Sequence, residues 1–116
     1  MLPPSFPPLA DLLDQFRALA QVDAGQVHPF SYGRSRQGED LLALSLGGGG
    51  KRVLAYAFPQ PDEPLGGLAL LQLARQLLGE GDLLHHATWL LLPCVDPDGA
   101  RLNERWFTRP LDLTAY

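Results

Sequence analysis

A strand, a leucine-rich helix and a second strand follow one another in the C-terminal two-thirds of this chain, and that succession leaves few folds open. Arg52–Phe58 reads as a strand, carrying Val53-Leu54-Ala55-Tyr56-Ala57-Phe58. A proline-rich stretch from Pro59 to Pro64 follows, and the apolar spacing predicts a helix from about Leu65 to Leu78, stopped by Gly79. Thr88–Cys94 is then a continuous apolar run, the pattern of a strand buried on both faces. Two strands joined by a crossover helix pair in parallel with a right-handed connection.

The preceding segments extend that unit. Val27–Arg34 and Asp40–Leu46 are strand-compatible and flank Arg36-Gln37-Gly38-Glu39, whose glycine suits a turn, so they predict a hairpin. Leu9, Leu12, Leu13, Phe16, Leu19 and Ala20 recur at helical spacing and form one apolar stripe, with Asp11 and Asp14 near the N-terminal end. The fold class is therefore α/β, a mixed, mainly parallel sheet with flanking helices. At 116 residues the chain amounts to a single domain, 1–116. A central strand such as Thr88–Cys94 needs cover on both faces, and this small set of elements predicts an apolar face that seeks a partner, a second copy included.

Charge and composition remove several function classes. The formal net charge is −4, which offers no basic field to nucleic acid or to an anionic membrane. No apolar run approaches the length of a membrane span, and the N-terminal Met1-Leu2-Pro3-Pro4 lacks the features of a secretory leader. Cys94 is the single cysteine, so a disulfide framework is excluded and a reducing, cytoplasmic setting is expected. Gly47-Gly48-Gly49-Gly50-Lys51 resembles a phosphate loop only superficially. Arg52 stands where Ser or Thr is required, and a strand follows where a helix must open, so the run is read as a flexible connection.

Chemistry in open α/β sheets gathers at the carboxyl ends of the strands. Two polar segments fall there, Gln60-Pro61-Asp62-Glu63 and Asp96-Pro97-Asp98-Gly99, and parallel strands would bring Asp62, Glu63, Asp96 and Asp98 to one rim. Clustered carboxylates hold a metal or shift one another's protonation. Each segment also has a plainer reading. Asp62 and Glu63 before Pro64 suit a helix start, and Asp96-Pro97-Asp98-Gly99 suits a β-turn. Arg101, Arg105 and Arg109 recur at i, i+4 and i+8, as an oxyanion-binding face or a solvated one. His85 and His86 fall in a surface connection before the last strand, His28 in the hairpin, and Cys94 at the end of a buried strand where a thiol is inert.

The order of Tyr32-Gly33-Arg34-Ser35, Gly38-Glu39-Asp40-Leu41, strand, Gln60-Pro61-Asp62-Glu63, leucine-rich helix, strand and Asp96-Pro97-Asp98-Gly99 resembles the N-terminal portion of the zinc carboxypeptidases, over roughly Tyr32 to Trp106. That superfamily includes the desuccinylase-type amide hydrolases. The resemblance implies a zinc cofactor, a peptide or similar amide substrate, and hydrolysis of a C-terminal peptide bond by zinc-activated water. It places Glu63 at the family's zinc-ligating glutamate and Gln60 at its first histidine ligand, and it puts Arg105 and Arg109 beside the family's oxyanion arginine. The family's second histidine and its general-base glutamate have no counterpart here, so no catalytic residue is assigned. This chain is expected to be inactive by itself, and the alternative is a non-catalytic remnant serving as an interaction or oligomerisation module.

Overall fold

The computed structural model describes residues 6–108. Its elements run α1 (Leu9–Val22), β1 (Val27–Arg34), β2 (Asp40–Gly47), β3 (Lys51–Tyr56), α2 (Leu65–Gly79), α3 (Gly81–His86), β4 (Ala87–Leu92) and α4 (Pro97–Phe107). The four strands form one sheet in the order β1-β2-β4-β3. β3 and β4 pair in parallel with Val53 opposite Trp89 and Ala55 opposite Leu91, as the strand–helix–strand succession predicts. β1 and β2 form the expected antiparallel hairpin, with Val27 opposite Leu46.

The α/β class and the mixed sheet hold, but the balance within the sheet differs from the expectation. β2 pairs antiparallel with β4, Leu44 opposite Leu91, so one of the three pairings is parallel. The cause is the position of β4. It inserts between β2 and β3, which are neighbours in sequence, and so takes the second strand of the hairpin as its partner on one side.

The glycine run is the piece that makes this insertion possible. It carries the chain from β2 to β3 across the start of β4 and against α3. Gly47 has φ +81°, and a Cβ there would stand 2.6 Å from the Leu84 carbonyl oxygen and 2.7 Å from that of Ala87. A Cβ on Gly49 would overlap the His86 and Ala87 backbone. The Gly48 amide donates to Leu84 O at 3.2 Å, and Thr88 Oγ1 donates to Gly49 O at 2.8 Å. The run is thus a close-packed crossing and not a flexible link.

Two further segments differ from their sequence reading. Gly81–His86, expected as a loop, is a short helix with Asp82 in its first turn and His85 and His86 in its last, each suited to the local end of the helix dipole. Both histidines are exposed. Asp96-Pro97-Asp98-Gly99, expected as a β-turn, opens α4: the Asp96 side chain accepts from the Gly99 amide at 2.9 Å, and Pro97 takes the first helical position.

The core lies on one face of the sheet. Leu42, Leu44, Leu46 and Leu91 pack with Leu12, Leu13, Phe16 and Leu19 of α1 and Leu70, Leu71, Ala74 and Leu77 of α2. The opposite face is open along its two edge strands, while Ala43 of β2, beside Phe30, is fully buried. Phe30, Leu54 and Tyr56, which alternate with the core-facing positions of β1 and β3, are 44%, 58% and 55% exposed.

α4 ties the ends of this arrangement together. Pro8 supplies no side-chain cap to α1, and the Leu9 amide donates instead to Glu104 Oε1 at 2.8 Å. The Phe6 amide donates to Phe107 O at 2.7 Å. At the other end of α4, Asp98 accepts from Ser35 Oγ at 2.8 Å and from the Gln37 amide at 3.2 Å, which docks the hairpin turn.

Candidate functional site

β3 and β4 end side by side, and their last residues anchor the loops where chemistry is expected. The Ala57 amide donates to Leu92 O at 3.0 Å, and the Val95 amide donates to Ala57 O at 3.2 Å. Phe58 then turns the chain outward with φ +58°, a left-handed conformation that costs a non-glycine residue about 1–3 kcal/mol. Burial offsets that cost, because Phe58 is 1% exposed and its ring packs against Phe107 with centroids 6.2 Å apart. The consequence is a loop aimed away from the core, with Gln60 and Glu63 both exposed. They share one turn, in which the Glu63 amide donates to Gln60 O at 3.1 Å.

The four carboxylates of the rim are divided among separate tasks. Asp96 caps α4 and Asp98 holds the hairpin turn, while Asp62 and Glu63 border a cavity of about 670 Å³. The other walls of that cavity include Tyr56 at the end of β3, Leu65 in the first turn of α2 and Trp106 in the last turn of α4. Among the described residues no group of three His, Cys, Asp or Glu side chains is placed to hold a metal ion. Of the pair that the resemblance sets at ligand positions, Glu63 offers a carboxylate and Gln60 a neutral carboxamide. Zinc sites are built from histidine nitrogen, cysteine sulfur and carboxylate oxygen, three or four to a metal, so these residues do not fit a zinc centre.

The arginine stripe is also divided. Arg101 donates from Nε and Nη2 to the two carboxylate oxygens of Glu39 at 2.8 and 2.6 Å. Those bonds hold the Glu39 carboxyl below its usual range and raise the Arg101 guanidinium, so Arg101 joins α4 to the hairpin turn. Arg105 is exposed on α4, and Arg109 lies outside the described residues. Cys94 is buried, and burial pushes its thiol up to about 12, a value that keeps it protonated and unreactive.

Sequence reasoning did not single out Tyr56, Leu65 or Glu104. Tyr56 and Leu65 were visible only as members of a strand and a helix. Glu104 reaches a partner 95 residues away, for which no local signal exists.

The zinc carboxypeptidase model of peptidase family M14 matches residues 12–110. The chain belongs to the zinc carboxypeptidase family. Solved structures share the fold. A metallo-carboxypeptidase from Burkholderia cenocepacia superposes with a TM-score of 0.72 at 23% identity, covering 82% of this chain and 28% of that one. Bovine thrombin-activatable fibrinolysis inhibitor, in complex with tick carboxypeptidase inhibitor, gives 0.70 at 15% identity, covering 87% and 36%. Carboxypeptidase A from Helicoverpa armigera gives 0.69 at 17% identity, covering 82% and 25%. The match thus spans between a quarter and a little over a third of those proteins' lengths. No curated protein matches the chain. Among the described residues no helix is long and apolar enough to cross a membrane.

Proposed function

We propose that this chain is a zinc-carboxypeptidase-fold module that does not hydrolyse peptide bonds by itself. The observation that carries this reading is the Gln60–Glu63 turn, exposed at the carboxyl end of β3, where among the described residues no group of three His, Cys, Asp or Glu side chains is placed to hold a metal ion. Hydrolysis of a C-terminal peptide bond or a similar amide by the family's chemistry needs three protein ligands, an open position for water and a base. Here Glu63 is the one strong donor of the pair. Arg105 stands exposed on α4 as an oxyanion partner for a complete site, and Arg109 is assigned the same role from the sequence. Such a site, with its peptide substrate, belongs to a protein that supplies the remaining ligands. The lone buried thiol of Cys94 supports a reducing, cytoplasmic compartment.

Zinc titration by calorimetry tests this. The chain is expected to bind zinc no tighter than about millimolar, near −4 kcal/mol, with Glu63→Ala and Gln60→His both indistinguishable from it and no release of C-terminal residues from a peptide panel. Micromolar binding abolished by Glu63→Ala, or any zinc-dependent cleavage, refutes the reading.

The open sheet face favours a second role, as a homo-oligomer that covers it. Phe30, Leu54 and Tyr56 leave about half of their surface in water. Phe30 lies on one edge strand and Leu54 and Tyr56 on the other, with the partly exposed Leu90 and Leu92 of β4 between them, so a second copy laid across the face would cover all of them. Light scattering is expected to show a dimer that Leu54→Lys returns to monomer. A monomer for both chains rules this role out.

A further inference from the structure

Among the described residues β3 is an edge strand, with β4 on one side of it. Its ladder to β4 runs without a break from Lys51 to Tyr56, and Ala57 continues it. The Ala57 amide donates to Leu92 O, and Ala57 O accepts from the Val95 amide, so both main-chain groups of Ala57 face β4. That direction alternates along a strand. Those of Val53 and Ala55 therefore face β4 as well, and those of Arg52, Leu54 and Tyr56 point to the free side. We propose that this edge pairs antiparallel with β3 of a second copy, joining the two sheets into one.

The residues of β3 select one register. A two-fold axis at Leu54 sets Leu54 against Leu54 of the second copy, and Arg52 against Tyr56 in both directions. Each of these residues meets its counterpart with N–H and C=O directed outward, so every outward group of Arg52, Leu54 and Tyr56 finds a partner. Moving the axis to Val53 leaves Tyr56 opposite Gly50, which lies outside the strand. Moving it to Ala55 brings Arg52 opposite Phe58, where the chain has turned away at φ +58°.

The side chains agree with the same register. Leu54 and Tyr56 are both more than half exposed, and Arg52 shares their face of the strand. Pairing at Leu54 brings the two leucines together at the axis and lays each guanidinium beside a tyrosine ring. Lys51 and Arg52 are the kind of charges that ordinarily guard an edge. They stand together at one end of the strand, so antiparallel pairing keeps like charges about 13 Å or more apart, beyond the screening length of about 8 Å at physiological salt. The contact lies in the plane of the sheet. It depends on main-chain groups of one edge, whereas a copy laid across the open face also covers Phe30 on the other, and neither involves zinc.

Amide hydrogen exchange and isotope-filtered NMR on the full chain test the pairing. Between about 50 µM and about 1 mM chain, exchange at Arg52, Leu54 and Tyr56 is expected to slow about three- to fivefold, as mass action gives for any dissociation constant below about 100 µM. Val53 and Ala55, already bonded to β4, should be protected at both concentrations. A mixture of labelled and unlabelled chain should show an intermolecular contact between Val53 and Ala55, the close pair without mutual hydrogen bonds in this register. Arg52→Pro removes one outward amide at an edge position that tolerates proline, and should give a monomer with an unchanged circular dichroism spectrum. Phe30→Lys should leave the dimer intact. Exchange at Arg52, Leu54 and Tyr56 that ignores concentration overturns the proposal. So do intermolecular contacts centred elsewhere, a folded Arg52→Pro chain that still dimerises, or a dimer that Phe30→Lys dissolves.

Discussion

Alanine substitution along Gly47–Gly50 tests the account of how β4 enters the sheet. The four positions are chemically identical, and a flexible connection treats them alike. The structure separates them. At Gly49 an added Cβ overlaps the backbone of His86 and Ala87, which belongs to the α3–β4 junction and has no side-chain freedom to yield. Relief requires the crossing to move away from β4, where Thr88 Oγ1 is bonded to the Gly49 carbonyl at 2.8 Å. Overpacking against rigid surroundings costs about 3 kcal/mol or more. At Gly47 the left-handed backbone alone costs alanine about 1–2 kcal/mol. Crowding against the carbonyl oxygens of Leu84 and Ala87, at 2.6 and 2.7 Å, adds to that. Gly48 and Gly50 have no heavy atom within 4 Å of the new Cβ and are not among the positive-φ glycines. Alanine there stabilises by roughly 0.4–1 kcal/mol, by restricting the unfolded chain. Thermal unfolding followed by circular dichroism converts these values at roughly 4 °C per kcal/mol. Gly49→Ala is expected to lose more than about 10 °C and Gly47→Ala nearly as much, whereas Gly48→Ala and Gly50→Ala gain roughly 2–4 °C. Four equal shifts of either sign would refute the packed crossing.

Glu104→Ala removes the side-chain acceptor of the Leu9 amide at the start of α1. A lost cap at a charged acceptor is worth about 1–2 kcal/mol, read as a lower urea midpoint with faster hydrogen exchange at Leu9, and an unchanged exchange rate there contradicts the capping role. The Glu39–Arg101 pair predicts an acid dependence. The folded state holds the Glu39 carboxyl below its ordinary value of 4.5, so its contribution to stability is complete above that value. The contribution is lost as pH falls through the lowered folded one. Both partners are partly exposed, which limits the effect to under about 1 kcal/mol, and Glu39→Gln should flatten the stability profile below about pH 4.5.

The elements whose periodicity is local were legible in the sequence: the α1 stripe, the hairpin, and the parallel pair with its crossover helix. What the pattern could not convey is which strand lies next to which. The residues of β4 are apolar throughout, and that property says the strand is central without saying whether its second neighbour runs with it or against it. The antiparallel β2–β4 pairing follows from the route of the glycine crossing. That route depends on Leu84, His86 and Ala87, about 40 residues later in the chain.

The site shows the same division more sharply. At position 60, which the proposed reading sets at a zinc-ligand position, stands a carboxamide, and the weakness of that donor is a property of one side chain that no tertiary contact alters. The fate of the carboxylates is a tertiary matter. Asp62, Glu63, Asp96 and Asp98 have the same functional group and similar loop positions, and a shared rim was a reasonable expectation. Asp98 finds Ser35 and Gln37 across 63 and 61 residues, and Asp96 finds its own helix start. Each bond is a local optimum for the carboxylate that makes it, and each takes that carboxylate out of any common cluster. Asp62 and Glu63 border the cavity beside α2 instead. The chemistry of this end of the sheet is therefore decided by which acids the hairpin and α4 claim first, a competition that motif spacing does not register.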